Sequence, residues 1–176
     1  GNDADAGMVF PKDGADITSY LVDVVANPNF SNDDGASGLA AIKDGSADVL
    51  FSGTWSAKDV KEALGDNYAA TSLPTFTVNG QKKQMKSFAA TKAAAYNPNA
   101  KNPKAAAQFA AYLGSTEAQK LHYEMRAIPP TDKSLSDLTT DDVAAKAQAD
   151  TMANTALLQS GLSGMNDWWT PAETFG

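Results

Sequence analysis

The sequence predicts an α/β fold, and three observations predict it. Short apolar runs alternate with amphipathic helical periodicity from about residue 16 to residue 86. An Asn79-Gly80 pair between Phe76-Thr77-Val78 and Met85 is the strongest short turn signal in the chain. From Asn102 onward helical signals dominate.

Bulk properties narrow the function classes. The chain has 176 residues, enough for one full domain or two small lobes, and 43% of them are apolar, enough for a packed core. Its net charge of −7 argues against a nucleic-acid partner, which needs a basic stripe. It has no cysteine, which fits both a secreted chain without disulfides and a cytosolic one. No run is long enough to span a bilayer, and Gly1-Asn2-Asp3-Ala4-Asp5 is polar, unlike a signal peptide. A single histidine, His122, cannot build a His-rich metal site.

In chain order, residues 1–15 contain Gly7, Pro11 and Gly14 and are expected to be loop or extended. Asp16 then caps a helix carrying Ile17, Leu21, Val24 and Val25 on one face, and Asn27-Pro28-Asn29 stops it. Gly35 to Lys43 forms a second helix with Leu39 and Ile42 inward and Asp44-Gly45 as its exit. Val49 to Ser52 reads as a short buried strand ended by Gly53-Thr54, with Trp55 at its carboxyl end. A polar helix runs from Ser56 to about Leu64, and Gly65-Asp66-Asn67 turns. Tyr68 to Leu73 reads as a strand ended by Pro74. Phe76 to Lys86 is the hairpin. Ser87 to Tyr96 is alanine-rich, yet it lies between the hairpin and Asn97-Pro98-Asn99 and is expected to be extended.

In the second half, Asn102 caps a helix with Pro103 at its first position and Ala106, Phe109, Ala110 and Leu113 as its face; Gly114 ends it. Ser115-Thr116-Glu117 opens another with Ala118, Leu121, His122 and Met125 along it. No nucleophile or orienting acid lies near His122 in sequence, so it reads as a partly exposed helix residue. Pro129-Pro130 forbids helix. Thr139 or Thr140 caps a helix starting at Asp141-Asp142 and running, with a possible break, to Leu158. Gln159 to Gly164 is loop, followed by Met165-Asn166-Asp167-Trp168-Trp169-Thr170-Pro171.

The chemistry-bearing residues are aromatic. Open α/β sheets place ligands outside the carboxyl ends of their strands, where Trp55 is expected. On that position alone Trp55 reads as a half-buried core residue, with a ligand-facing role as the alternative that the rest of the chain brings forward. Asp59 and Glu62 lie nearby, but with Lys58 and Lys61 they read as a solvated helix face, so no catalytic residue is expected. Nucleophile-elbow, phosphate-loop, zinc and calcium patterns are absent, so no cofactor and no metal are expected. All three tryptophans flank turn residues, where a core pair would more often sit inside a periodic apolar run. A flat ring beside polar side chains suits a sugar, whose C–H groups cover one face and whose hydroxyls surround it. Covering one sugar face contributes roughly 1–2 kcal/mol from apolar area, provided the hydroxyls find partners.

An ordered set of segments then resembles the extracellular solute-binding proteins of sugar ABC transporters, of the maltose/maltodextrin-binding type. These are Gly38-Leu39-Ala40-Ala41-Ile42-Lys43-Asp44-Gly45, Phe51-Ser52-Gly53-Thr54-Trp55, Leu73-Pro74-Thr75-Phe76, Ala95-Tyr96-Asn97-Pro98-Asn99, Ala106-Ala107-Gln108-Phe109, Ser115-Thr116-Glu117-Ala118-Gln119, Ile128-Pro129-Pro130 and Met165 to Pro171. The resemblance implies a periplasmic-binding-protein-like (type II) fold that closes two lobes on a malto-oligosaccharide and presents it to an ABC permease. It implies a non-enzymatic protein outside the cell, a surface lipoprotein or a periplasmic one. It assigns Trp55 and Trp169 as stacking aromatics, Met165 as an apolar contact and Trp168 beside them. Thr170 and Gly35 depart from the pattern, standing where members can carry aromatics.

The resemblance also implies an organisation. Residues 1–87 are part of the carboxyl-terminal lobe, 88–99 cross the hinge, 100–134 are part of the amino-terminal lobe, and 135–176 return. Family members are longer, so the chain is expected to be a carboxyl-terminal portion, with the acids and aromatics of the opposite lobe outside it. The runner-up reading is a carbohydrate-active enzyme or an accessory sugar-binding domain, which also sets tryptophan beside acids. A third is an interaction domain with core tryptophans.

Overall fold

A computed structural model describes residues 10–32 and 34–175. The loop expected over residues 1–9 lies outside them. The chain forms two compact units, one from residues 10–32, Leu73–Ala90 and 151–175, the other from residues 34–72 and Thr91–Asp150.

The first unit holds helix α1 (Phe10–Val25), hairpin strands β1 (Thr75–Val78) and β2 (Gln81–Gln84), strands β3 (Phe88–Ala89) and β4 (Leu157–Leu158), and helix α7 (Met165–Phe175). The hairpin forms as expected, in register Thr75↔Gln84 to Val78↔Gln81. Asn79 and Gly80 have φ of 51° and 72°, the left-handed pair that matches strand twist in a two-residue loop. Gln84 donates its side-chain amide to the carbonyls of Leu73 (2.7 Å) and Met85 (3.0 Å), fastening both ends of the hairpin.

Helix α1 corrects the expected start. It begins at Phe10, with Pro11 in its first turn where no amide partner is needed, so Asp16 lies inside it and caps nothing. Its inward face is also rotated. Ile17, Tyr20 and Val24 are half-buried, whereas Leu21 and Val25 are exposed. Tyr20 takes this place because its ring packs on Phe76 of β1, centroids 4.9 Å apart. The stop after Val25 is as expected, with the Asn27 side chain accepting from the Asn29 amide.

Residues 87–96 avoid helix, as expected, and the Phe88–Ala89 pair runs parallel to Leu157–Leu158. That pairing corrects the expected long helix to Leu158. Helix α6 (Val143–Asp150) gives way to a π turn at Thr151–Thr155, and Leu157–Leu158 is strand.

The second unit holds α2 (Gly35–Asp44), α3 (Ala57–Leu64), α4 (Pro103–Leu113), α5 (Thr116–Arg126) and α6. Asp34 caps α2 by accepting from the Ala36 and Ser37 amides, which holds its carboxyl below the usual range. Gly45 closes α2 in the left-handed conformation. Ile42 is buried and Leu39 half-buried, as expected. Pro103 opens α4, although the Asn102 side chain makes no capping bond. Phe109, expected inward, is 63% exposed; Ala106, Ala110 and Leu113 form the half-buried side.

Ser115 caps α5 through the Ala118 amide, and Ala118 is buried. The Gln119 side chain accepts from the Thr131 and Asp132 amides, pinning the Pro129-Pro130 segment onto α5. The Thr116 hydroxyl donates to Asp132 and holds that carboxyl below its usual range. The residue that caps α6 is Asp142, not Thr139 or Thr140. Its Oδ1 accepts from the Ala144 and Ala145 amides, and residues 133–139 form a 3-10 stretch.

Two expected strands are absent. Residues 49–52 and 68–73 are irregular, and Val49 and Phe51 are exposed. Both have strand-like composition, but a strand exists only where a neighbour completes its hydrogen bonds, and no described residue pairs with either. Buried apolar side chains among the described residues are Ile42, Ala89, Ala118 and Ala145, one branched residue and three alanines.

Candidate functional site

Trp55 sits in a 3-10 turn (Thr54–Ser56) that leads directly into α3. Its ring folds back over Gly53. A Cβ placed on Gly53 would fall 2.1 Å from the indole, so only a residue without a side chain fits beneath the ring. Gly53 has ordinary extended φ, so close approach and not backbone conformation demands the glycine. The hydroxyls of Ser52 and Ser56 lie 2.9 Å apart and brace the turn. The outer face of the indole is free: Trp55 is 82% exposed.

The spacing of Trp55, Lys58, Asp59 and Glu62 is i, i+3, i+4, i+7, which puts all four along one side of the turn and helix. They line a concavity of about 290 Å³ completed by Arg126 and Ile128. Arg126 is the last residue of α5. Ala127 follows in the left-handed conformation (φ 51°), which turns the chain so that Ile128 lines the same hollow. For a residue with a Cβ that conformation costs about 1 kcal/mol. Lys58 pairs within α3 and only just reaches α5. Its Nζ lies 3.9 Å from Glu62 and donates a long bond (3.5 Å) to the Met125 carbonyl near the end of α5.

This hollow offers an apolar ring face, carboxylates that accept and cations that donate. It can hold a ligand with one apolar face and a hydroxylated edge. Asp59 and Glu62 project from one helix less than a turn apart, so they do not face each other across a bond as hydrolysis of a glycoside requires. Among the described residues no group of three His, Cys, Asp or Glu side chains is placed to hold a metal ion. His122 is exposed on α5.

Met165, Trp168 and Trp169 belong to the first unit. They lie on helix α7, which places the tryptophans within a helix where the sequence suggested loop neighbours. Pro171 inside that helix removes one of its hydrogen bonds. Trp168, Trp169 and Phe88 form a three-ring cluster. The tryptophan centroids are 5.1 Å apart at 74°, and Phe88 meets Trp168 at 5.9 Å and Trp169 at 5.8 Å, all edge to face. Trp168 is 46% exposed and Trp169 37%, and Met165 is half-buried.

The structure thus brings Trp168 and Trp169 together with Phe88 in one unit and sets Trp55 with Arg126 and Ile128 in the other. Sequence reasoning sets Lys58, Asp59 and Glu62 aside as a solvated helix face, places Ile128 only within the Ile128-Pro129-Pro130 segment, and gives Arg126 and Phe88 no site role. The helical spacing from Trp55 could have pointed to Lys58, and the position of Arg126 just before the Ile128-Pro129-Pro130 segment is a weak local signal. Phe88 carried none, because its ring partners lie near the other end of the chain.

Comparison with known proteins places this geometry in context. A family described as bacterial extracellular solute-binding protein matches residues 1–153. No curated protein matches the chain. A solved structure described as "with acarbose" is 39% identical, with a TM-score of 0.87 over 96% of this chain and 46% of that one. The maltodextrin binding protein MalE1 from L. casei BL23, without ligand, is 24% identical and shares the fold, with a TM-score of 0.74 over 92% of this chain and 44% of that one. The chain therefore spans less than half the length of either structure.

Proposed function

Because this chain belongs to the bacterial extracellular solute-binding proteins, we propose that it contributes to capture of a malto-oligosaccharide or related sugar outside the cell. The captured sugar passes to the permease of an ABC importer. The single observation that carries this reading is the Trp55 concavity, an uncovered indole face rimmed by Lys58, Asp59, Glu62 and Arg126. One glucose ring stacks on Trp55, and the charged rim takes its hydroxyls. By the resemblance, Trp169 is also a sugar-stacking aromatic, with Met165 as an apolar contact and Trp168 beside it, on the other compact unit. Similarity to a structure described with acarbose, an oligosaccharide mimic, supports this class of ligand.

The resemblance implies lobes of 1–87 and 135–176 in one and 100–134 in the other, with 88–99 crossing between them, a division that differs from the compact units, which join residues 34–72 to Thr91–Asp150. Capture works by shifting the population from open to closed lobes, as in periplasmic binding proteins generally. The protein performs no chemistry on the sugar and works outside the cell, as a surface lipoprotein or in the periplasm. Among the described residues no helix is long and apolar enough to cross a membrane.

Titration with maltotriose, read by tryptophan emission, tests the proposal. Contact with one sugar face gives weak binding, about millimolar or weaker. The emission shifts, and Trp55→Ala removes most of the shift. No response of any tryptophan to malto-oligosaccharides would sink the proposal. Release of new reducing ends, lost on changing Asp59, Glu62 or Asp167, would instead assign an enzyme.

A further inference from the structure

Helix α3 has a second flank. There Ala57, Lys61, Tyr68, Tyr123, Ala127 and Asp142 line a separate cavity of about 380 Å³, within the same compact unit. Lys58 and Glu62 line both this cavity and the Trp55 concavity. Their solvent-exposed ion pair is therefore a sill shared by two adjoining hollows.

The chemistry of the second cavity is specific. The Tyr123 hydroxyl donates to Asp142 Oδ2 at 2.8 Å, while Oδ1 of the same carboxylate caps α6. Asp142 is thereby committed to the fold, and the Tyr123 ring is fixed with its oxygen still able to accept. Burial pushes the Tyr68 and Tyr123 phenols up, Tyr123 to about 12, so both remain neutral at any physiological pH. The alanines at 57, 127 and 144 leave the floor open and apolar. The rim carries Lys58 and Lys61 but also Glu62 and Glu124, so an anion meets carboxylates and a cation meets ammonium groups. A neutral polyhydroxylated ring meets neither penalty, and it finds donors, acceptors and two tyrosine side chains among the lining.

We propose that the Tyr68–Tyr123 cavity is a second sugar subsite, reached from the Trp55 concavity across the Lys58–Glu62 sill, so that this one unit reads the length of an oligosaccharide. The inference rests on the sugar-binding reading given above. A chain whose first ring covers Trp55 passes over Lys58 and sets its next ring between the two phenols.

The test follows the Trp55 indole N–H resonance of the full 176-residue chain during titration with glucose and with maltotriose. Maltotriose binds about tenfold more tightly than glucose, beyond the statistical advantage of three rings, the equivalent of one further covered sugar face. In Tyr68→Ala, which removes a lining ring, that ratio collapses toward the statistical one. In Ala57→Leu, which fills the cavity, it collapses as well. The two variants remove different things, a ring and a space, so misfolding of one leaves the other to decide. A ratio that survives in a folded variant of either kind overturns the second subsite and leaves the function reading standing. No movement of the Trp55 resonance with any sugar overturns both.

Discussion

Trp55 and the Trp168–Trp169 pair present indoles in opposite ways. Trp55 is placed by its backbone: a tight turn, a glycine beneath the ring and a helix leading away, with 82% of the residue left to solvent. The pair is placed by other rings, each tryptophan meeting its neighbour and Phe88 edge to face. A ring resting on a glycine is held with one face uncovered. A ring held in a cluster gives up area to its neighbours and gains rigidity. The first arrangement leaves a whole face for a ligand to stack on; the second leaves less, and it also holds α7 against β3.

That contrast can be broken by experiment, and the largest expected effect is at the support. Phe88→Ala removes two aromatic contacts and half-buried area, costing about 2 kcal/mol in urea unfolding, with loss of the near-ultraviolet circular dichroism of the tryptophan pair. An unchanged near-ultraviolet spectrum would mean that Phe88 does not order the cluster.

The unit carrying Trp55 is fastened by polar groups, and Tyr123→Phe measures that fastening at about 1.5 kcal/mol. Its pH dependence has a definite sign. The folded state raises the Tyr123 phenol from 10.0 to about 12, so it favours the protonated form. The contribution is fully present below pH 10 and disappears as pH rises through 12. Unfolding curves of wild type and variant that keep the same separation at pH 9 and above pH 12 would contradict the hydrogen bond.

Gly53→Ala is smaller, about 1 kcal/mol, because the Trp55 ring can swing into solvent to escape the new Cβ. The emission of Trp55 shifts and sugar response falls; a variant that responds to sugar like wild type would show that the glycine does not set the ring. Trp55→Ala comes last, within about 0.5 kcal/mol of wild type, since an exposed ring contributes little to folding. A loss of several kcal/mol there would turn Trp55 into a support like Trp168.

Parts of this architecture are legible in the amino-acid order alone. Asn79-Gly80 specifies the hairpin because its turn geometry is a property of two residues. Ser115 and Pro103 mark helix starts, and Pro129-Pro130 excludes helix, for equally local reasons. Where packing chooses among local options, local rules mislead. The face of α1 turns because Tyr20 finds Phe76, and Asp142 displaces the threonines as cap while also serving Tyr123. The runs 49–52 and 68–73 have the composition of strands but lack the partner that makes a strand. In the candidate site, Trp55 is visible as an aromatic after a glycine, whereas Arg126 and Ile128 come from an element much later in the chain.

The sequence by itself determined the turns, most helix ends and the supply of flat aromatic faces beside polar groups, since each depends on residues a few positions apart. Only the tertiary structure decided which indole stays uncovered, which rings support one another, and that Lys58 divides two hollows along α3. Those outcomes depend on contacts between residues far apart in the chain, and no local pattern encodes a partner's position.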